Sequence, residues 1–205
     1  MTIVPDWLDE IVSRETLEDL EKFHALFLRW NAKINLVSRS SAPELWNRHI
    51  WDSAQVWQIA PKAAHWADFG SGGGFPAIIC AIFAKNTNAE TRFTLVESDQ
   101  RKATFLRTAL RELDLNATVV AKRVESLDSL GADIISARAL SRLTDLFEFV
   151  AQHMTPGGQA LFPKGEIWQT ELEEAQKTWT FDYKAHTSHT DAQAAVLQVK
   201  ELKRG

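Results

Sequence analysis

Apolar positions along the chain switch between two periods, and the switches mark the elements. Between Thr16 and Ile34 they fall at 17, 20, 23, 27, 30 and 34, which predicts a helix with one buried stripe. Acids crowd its start, where a helix dipole favours them. Asn31 to Ser38 leads out of it through a polar turn. Pro43 opens a second predicted helix, to about 59, with Leu45, Trp46, His49, Ile50, Ser53 and Val56 near one face, and Pro61 closes it. From 63 onward short apolar runs alternate with helical patterns. Strands are predicted at 63–67, 92–97, 117–122, 132–136 and 159–162, with helices at 77–84, 99–113, 141–153 and 167–177. Thr155-Pro156-Gly157-Gly158 reads as the turn that ends the third of those helices. The last extended runs, 178–186 and 194–201, have no helix between them and must pair as an antiparallel hairpin. Alternating strands and helices predict an α/β fold, a parallel sheet covered on both faces. The expected organisation is a helical extension over 1–60 packed as one unit with an α/β domain over 61–205.

Composition narrows the setting. The 205 residues are 45% hydrophobic, enough for one α/β core plus an appendage. No apolar run approaches a membrane span. The acidic N-terminus does not resemble a signal peptide. A single cysteine, Cys80, rules out an intrachain disulfide framework and fits a reducing cytoplasm. The net charge of −4 is uneven: residues 1–28 carry −5 and residues 29–205 carry +1. Local basic groups stand at Arg29, Lys33, Arg39 and Arg48, at Arg101, Lys102, Arg107 and Arg111, and at Lys122 and Arg123. Such groups permit contact with phosphates without requiring it.

The most informative stretch is Ala67-Asp68-Phe69-Gly70-Ser71-Gly72-Gly73-Gly74-Phe75-Pro76, between a strand and a helix. It holds four of the chain's nine glycines. A dinucleotide loop wants glycine at 75, and Phe stands there. The G-x-G-x-G spacing behind Asp68 resembles the first motif of class I S-adenosylmethionine-dependent methyltransferases, whose Rossmann-like seven-stranded sheet ends in an antiparallel hairpin. In that fold the backbone at Gly70, Gly72 and Gly74 lies against the cofactor. Glu97, 27 residues after Gly70 at the carboxyl end of the second strand, is placed to accept ribose hydroxyls.

Further blocks are more specific. They are Trp30-Asn31-Ala32-Lys33-Ile34-Asn35-Leu36-Val37, Arg48-His49-Ile50-Trp51-Asp52-Ser53, Arg123-Val124-Glu125, Ser136-Ala137-Arg138-Ala139 and Lys164-Gly165. Together with the glycine motif they resemble the bacterial small-subunit ribosomal RNA guanine-N7 methyltransferases, also called the glucose-inhibited division protein B family. The resemblance implies that Gly70, Phe75, Val124, Glu125 and Arg138 line the S-adenosylmethionine site. It also implies a substrate, 16S rRNA in the small ribosomal subunit, methylated at N7 of a guanosine in the decoding-region loop. Arg123 and Lys164, with Arg138, are the expected contacts to RNA phosphate or the target base. An ion pair of Arg138 with an acid such as Asp68 is the structural alternative.

The missing constellations agree with that chemistry. Guanine N7 has a lone pair and no proton, so no general base is needed. None of the six prolines forms the Pro-Pro motif of exocyclic-amine methylation, and Cys80, inside a helix, is no C5-methylation nucleophile. His186-x-x-His189 lacks further ligands and reads as a polar hairpin loop, so no metal is expected. His24 and His49, on apolar helix faces, read as satisfied core or interface histidines. Five of the eight tryptophans lie in residues 1–60 and read as core filling. Two other functions stay open: a small-molecule methyltransferase using the same cofactor site, and a catalytically silent cofactor- or ribosome-binding module.

Overall fold

The structure is a computed structural model and describes residues 2–38, 44–87 and 89–205. Arg39 and Pro43 lie outside the described residues. Helix α1 (Arg14–Ile34) starts on Ser13, whose Oγ accepts from the Thr16 N–H at 3.1 Å. It ends on Asn35 in the left-handed region. The second predicted helix divides: Trp46–Trp51 is wound as a π-helix and continues as α2 (Asp52–Ile59). Widening the turn rotates side chains relative to α-helical spacing. Trp51 and Ala54 are therefore buried along with Ile50, Ser53 and Val56, and His49 turns toward the sheet's functional edge.

Seven strands follow: β1 (His65–Phe69), β2 (Arg92–Val96), β3 (Ala117–Val120), β4 (Ala132–Ala137), β5 (Met154–Lys164), β6 (Trp179–Thr187) and β7 (Ala195–Arg204). Their order is β3-β2-β1-β4-β5-β7-β6. The first five pair in parallel, and β7 lies antiparallel to both β5 and β6. One expectation fails here. Residues 155–158 do not break the chain before the fifth strand but bulge within it, since the register jumps from Ala132↔Met154 to Ile134↔Gln159.

Helices α3 (Ala77–Asn86) and α4 (Gln100–Glu112) link β1 to β2 and β2 to β3. Helix α5 (Leu143–His153) links β4 to β5, and α6 (Trp168–Ala175) leads to β6. The sheet's side chains alternate. Trp66, Phe93, Leu95, Ile134, Leu161 and Val196 join the cluster of α1 to α4, whereas Phe69, Val96, Ile135 and Phe162 join that of α5 and α6. Right-handed crossovers put α3 and α4 on one face and α5 on the other, so the direction of winding reverses between β1 and β4. Ligands of such sheets lie beyond the carboxyl ends of the strands at that reversal. Ala77 to Ala84 are all buried, because α1 and α2 cover the side of α3 that the sheet does not.

Candidate active site

Each principal candidate residue comes directly after a strand: Gly70 after β1, Glu97 after β2 and Arg138 after β4. The loop leaving β1 is fixed by its own backbone. Gly74 N–H donates to Ser71 O at 2.6 Å, and Ser71 N–H donates to Val96 O at 3.1 Å. Gly72, at φ +51°, donates its N–H to Glu97 Oε2 at 2.9 Å, and Glu97 Oε1 accepts from the Asp99 N–H at 2.8 Å. The carboxylate thus joins the loop to the start of α4, with lone pairs remaining on both oxygens. A Cβ at Gly72 would meet nothing nearer than 3.6 Å, so the loop is open there to an incoming ligand.

Beneath the loop lies a buried relay. Trp66 Nε1–H donates to Ser136 Oγ at 2.8 Å, and Ser136 donates to Asp68 Oδ1 at 2.5 Å. Asp68 is 1% exposed, and its Oδ2 is buried without a partner among the described residues. Burial pushes its carboxyl up to about 7 against the opposing pull of Ser136.

Arg138 forms a structural ion pair with an acid, as the alternative reading allowed, but the acid is Asp52 and not Asp68. Its Nη1 donates to Asp52 Oδ2 at 3.4 Å and to the Arg48 carbonyl at 3.2 Å. Its Nη2 donates to His49 Nδ1 at 2.6 Å, and its Cζ lies 5.0 Å from the centre of the Phe75 ring. Phe75 is itself buried, stacked with His49 at 5.2 Å and edge-on to Phe23 at 5.6 Å. Because a guanidinium can only donate, His49 Nδ1 accepts and the ring carries its proton on Nε2. Burial first, then Arg138 and Arg48, lower the His49 pKa to about 3. The reading of His49 as a satisfied core or interface histidine is therefore corrected in one respect: its Nδ1 is engaged, but Nε2 is buried and has no partner among the described residues. No feature of its helical spacing signalled this, because the π-helix sets its direction.

Asp52 also accepts from Gln55 Nε2 at 2.7 Å and Thr190 Oγ1 at 3.0 Å, and Gln55 Oε1 accepts from the His189 N–H at 3.1 Å. The β6–β7 loop is thereby tied to α2. These groups form one wall of a cleft of about 440 Å³ beyond the carboxyl ends of β4 and β5. Lys164, at the end of β5, also lines the cleft, its side chain 10% exposed and donating to Glu171 Oε2 at 2.7 Å and the Ser141 carbonyl at 3.1 Å. Glu171 Oε2 accepts the Leu143 N–H as well, so Lys164 neutralises the acid that caps α5. Glu44, Asp52, Glu171 and Asp191 outnumber Arg48, Arg138 and Lys164 along the cleft.

Val124 and Glu125 form a 3-10 turn after β3. The Val124 side chain is buried and its carbonyl lies 3.2 Å from His153 Nε2, while Arg123 and Glu125 are exposed. His189 stacks on Trp7 at 4.3 Å, and His186 Nε2 lies 3.0 Å from Gln198 Oε1. Among the described residues no cluster of His, Cys, Asp or Glu could hold a metal, and no helix is long and apolar enough to cross a membrane. Cys80 is fully buried, its thiol pushed well up by burial.

The residues fit S-adenosylmethionine. Asp68 Oδ2 is a buried oxygen with no partner among the described residues, Glu97 retains acceptors for a diol, and the loop at Gly72 is open. Fold and site together define a class I S-adenosylmethionine-dependent methyltransferase. The fold is shared with a solved structure of M. jannaschii TYW2 in complex with AdoMet, which superposes with a TM-score of 0.59 at 13% identity, over 85% of this chain and 80% of that one. The profile of the GidB family, rRNA small subunit methyltransferase G, matches residues 16–199. Proteins named ribosomal RNA small subunit methyltransferase G are 52% identical in Ruegeria pomeroyi, over 98% of this chain and 99% of that one, and 48% identical in Acidiphilium cryptum, over 96% and 90%. The chain belongs to the rRNA small subunit methyltransferase G family.

Proposed function

We propose that this protein methylates N7 of a guanosine in the decoding-region loop of 16S rRNA, in the cytoplasm, using S-adenosylmethionine. The likeness over nearly the whole chain to relatives named for small-subunit ribosomal RNA carries the substrate class. The cleft supports the choice of atom. S-adenosylmethionine supplies a methyl group already activated on a sulfonium, so the protein's part is alignment. Methylation at N7 leaves the guanine cationic, and in the cleft Arg48, Arg138 and Lys164 are each held by an acid, so no unpaired cation opposes that charge as it develops. No proton leaves N7, which suits a cleft whose Asp52 and Glu171 are already engaged as acceptors.

In this reading Gly70, Gly72 and Gly74 present the loop backbone, Glu97 takes the ribose hydroxyls, and Val124 and Glu125 border the adenine. Asp68 Oδ2 receives the ammonium of the methionine end, and Arg138, supported on Phe75, takes its carboxylate. Lys164 and Asp52 line the cleft for the base. Arg123, exposed and without an ion pair among the described residues, meets phosphate.

The test is tritiated methyl transfer to small-subunit particles from cells lacking the protein, followed by mass identification of the nucleoside. N7-methylguanosine at one position is the expected product. Another methylated nucleoside overturns the choice of atom. Transfer to small molecules but not to particles or naked RNA overturns the substrate class.

A further inference from the structure

Each basic side chain lining the cleft is already held by an acid, Arg48 by Glu44, Arg138 by Asp52 and Lys164 by Glu171, so the cleft has no unpaired cation for the phosphates that flank a target base. Affinity for a polyanion must come from elsewhere on a chain of net charge −4. The cations are concentrated on one face. Helix α4 carries Arg101, Lys102, Arg107 and Arg111 against a single acid, Glu112. Helix α1 is polarised: its acids, Glu15, Glu18, Asp19 and Glu21, fall in its first half, and from His24 to Ile34 its only charges are Arg29 and Lys33. Within that half Asp19 holds Lys85 at 3.1 Å, at the C-terminal end of α3. The basic half lies beside the cofactor loop, where Phe27 sits 5.4 Å from Phe75.

Folding brings the two basic segments together. Arg29, Trp30 and Lys33 of α1 and Thr108, Arg111 and Glu112 of α4 line one groove of about 570 Å³. Among the described residues Lys33, Lys102, Arg107 and Arg111 make no ion pair, and Arg29 meets Glu112 only loosely, at 3.6 Å with both side chains largely exposed. Trp30 forms an aromatic wall, half-buried and backed by Phe105 at 5.8 Å. A solvated amphipathic face would account for exposed charges but not for three cations against one acid gathered from two helices around an aromatic ring.

We propose that this α1–α4 groove is a second RNA-binding surface. It takes the sugar-phosphate backbone flanking the target nucleotide, with Trp30 offering a ring to an unpaired base. The proposal rests on the functional reading above and adds the surface that supplies its affinity. Arg107 and Arg111, one turn apart on the solvent face of α4, supply phosphate contacts, and Glu112 opposes them.

The experiment measures equilibrium binding of the full-length protein to 16S rRNA across a potassium chloride series, beside methyl transfer to small-subunit particles. For the double variant Arg107→Gln/Arg111→Gln the slope of log K against log salt should shrink by about 1.4, about 0.7 for each lost contact on single-stranded RNA. KM for particles should rise severalfold while KM for S-adenosylmethionine stays fixed. Glu112→Gln should bind RNA more tightly, a direction that misfolding cannot imitate. A wild-type slope and KM in the double variant, with wild-type protein transferring methyl groups normally, overturn the groove alone. No transfer to RNA by the wild-type protein overturns the functional reading instead.

Discussion

At Asp68, one side chain carries two properties that pull against each other. Its carboxyl is buried and holds a proton to about 7, yet its unpartnered Oδ2 is suited to a cation. The unfolded chain releases that proton near 3.8. Between those values the folded state binds more protons than the unfolded one, so this contribution to stability is full below pH 3.8, falls as pH rises and is gone above about 7. Thermal melts of the ligand-free protein should show that decline, and Asp68→Asn should flatten it. Cofactor affinity should move the opposite way, rising through pH 7 in the wild-type protein and staying low and pH-independent in Asp68→Asn. Arg138→Ala should cut methyl transfer about 10²-fold or more. It should also cost about 1–3 kcal/mol of stability, because the guanidinium joins β4 to Asp52 and the Arg48 carbonyl. Turnover and denaturant titration, made together, separate the two effects.

Among the elements, the glycine loop shows that neighbouring glycines do different work. Gly74, at φ +88°, would place a Cβ 2.6 Å from Ile78 Cδ1, and Ile78 is fully buried. Gly74→Ala should lose about 2–4 kcal/mol in denaturant titration. Gly72 has open space where its Cβ would stand, so Gly72→Ala should cost only about 1–2 kcal/mol for its positive φ. Its cofactor binding, measured by calorimetry, should nonetheless be lost. The loop's spacing was legible in the sequence, because φ > 0 restricts residue choice locally. The π-helix over Trp46–Trp51 was not. Its apolar positions fit an α-helical face well enough, and only packing against α3 and Phe75 shows where His49 turns. Likewise Pro156-Gly157-Gly158 carries every signal of a turn, and pairing with β4 makes it a bulge inside β5.

For the whole molecule, the helical extension is part of the core and not an ornament on it. Helix α3 is apolar all round, which is stable only if every side is covered. Deleting residues 1–60 would bare one side of it, remove Phe23 and Phe27 from the Phe75 and Phe105 rings, and leave Arg138 without Asp52 and His49. The truncated chain should be insoluble or should bind a molten-globule dye, as expression trials and dye fluorescence would show. The same arrangement sets the glycine loop, the cleft and the basic α1–α4 groove on one packed body, and the cleft draws its lining from Glu44 through to Val196.

The sequence by itself determined what short-range chemistry can encode: helix stripes, strand runs, the glycine loop with Asp68 before it, Glu97 at a strand end and the closing antiparallel hairpin. Each depends on residues near one another in the chain, so each leaves a periodic or positional mark. Tertiary structure alone decided the partners. It gave Arg138 to Asp52 and not to Asp68, and it committed Lys164 to Glu171. It also left His49 Nε2 and Asp68 Oδ2 unpaired among the described residues, and slid β7 between β5 and β6. Those outcomes join groups as far as 138 residues apart, as Asp52 and Thr190 are. A charged side chain looks the same in sequence whichever opposite charge it meets; burial and distance, fixed only when the layers close, make the choice.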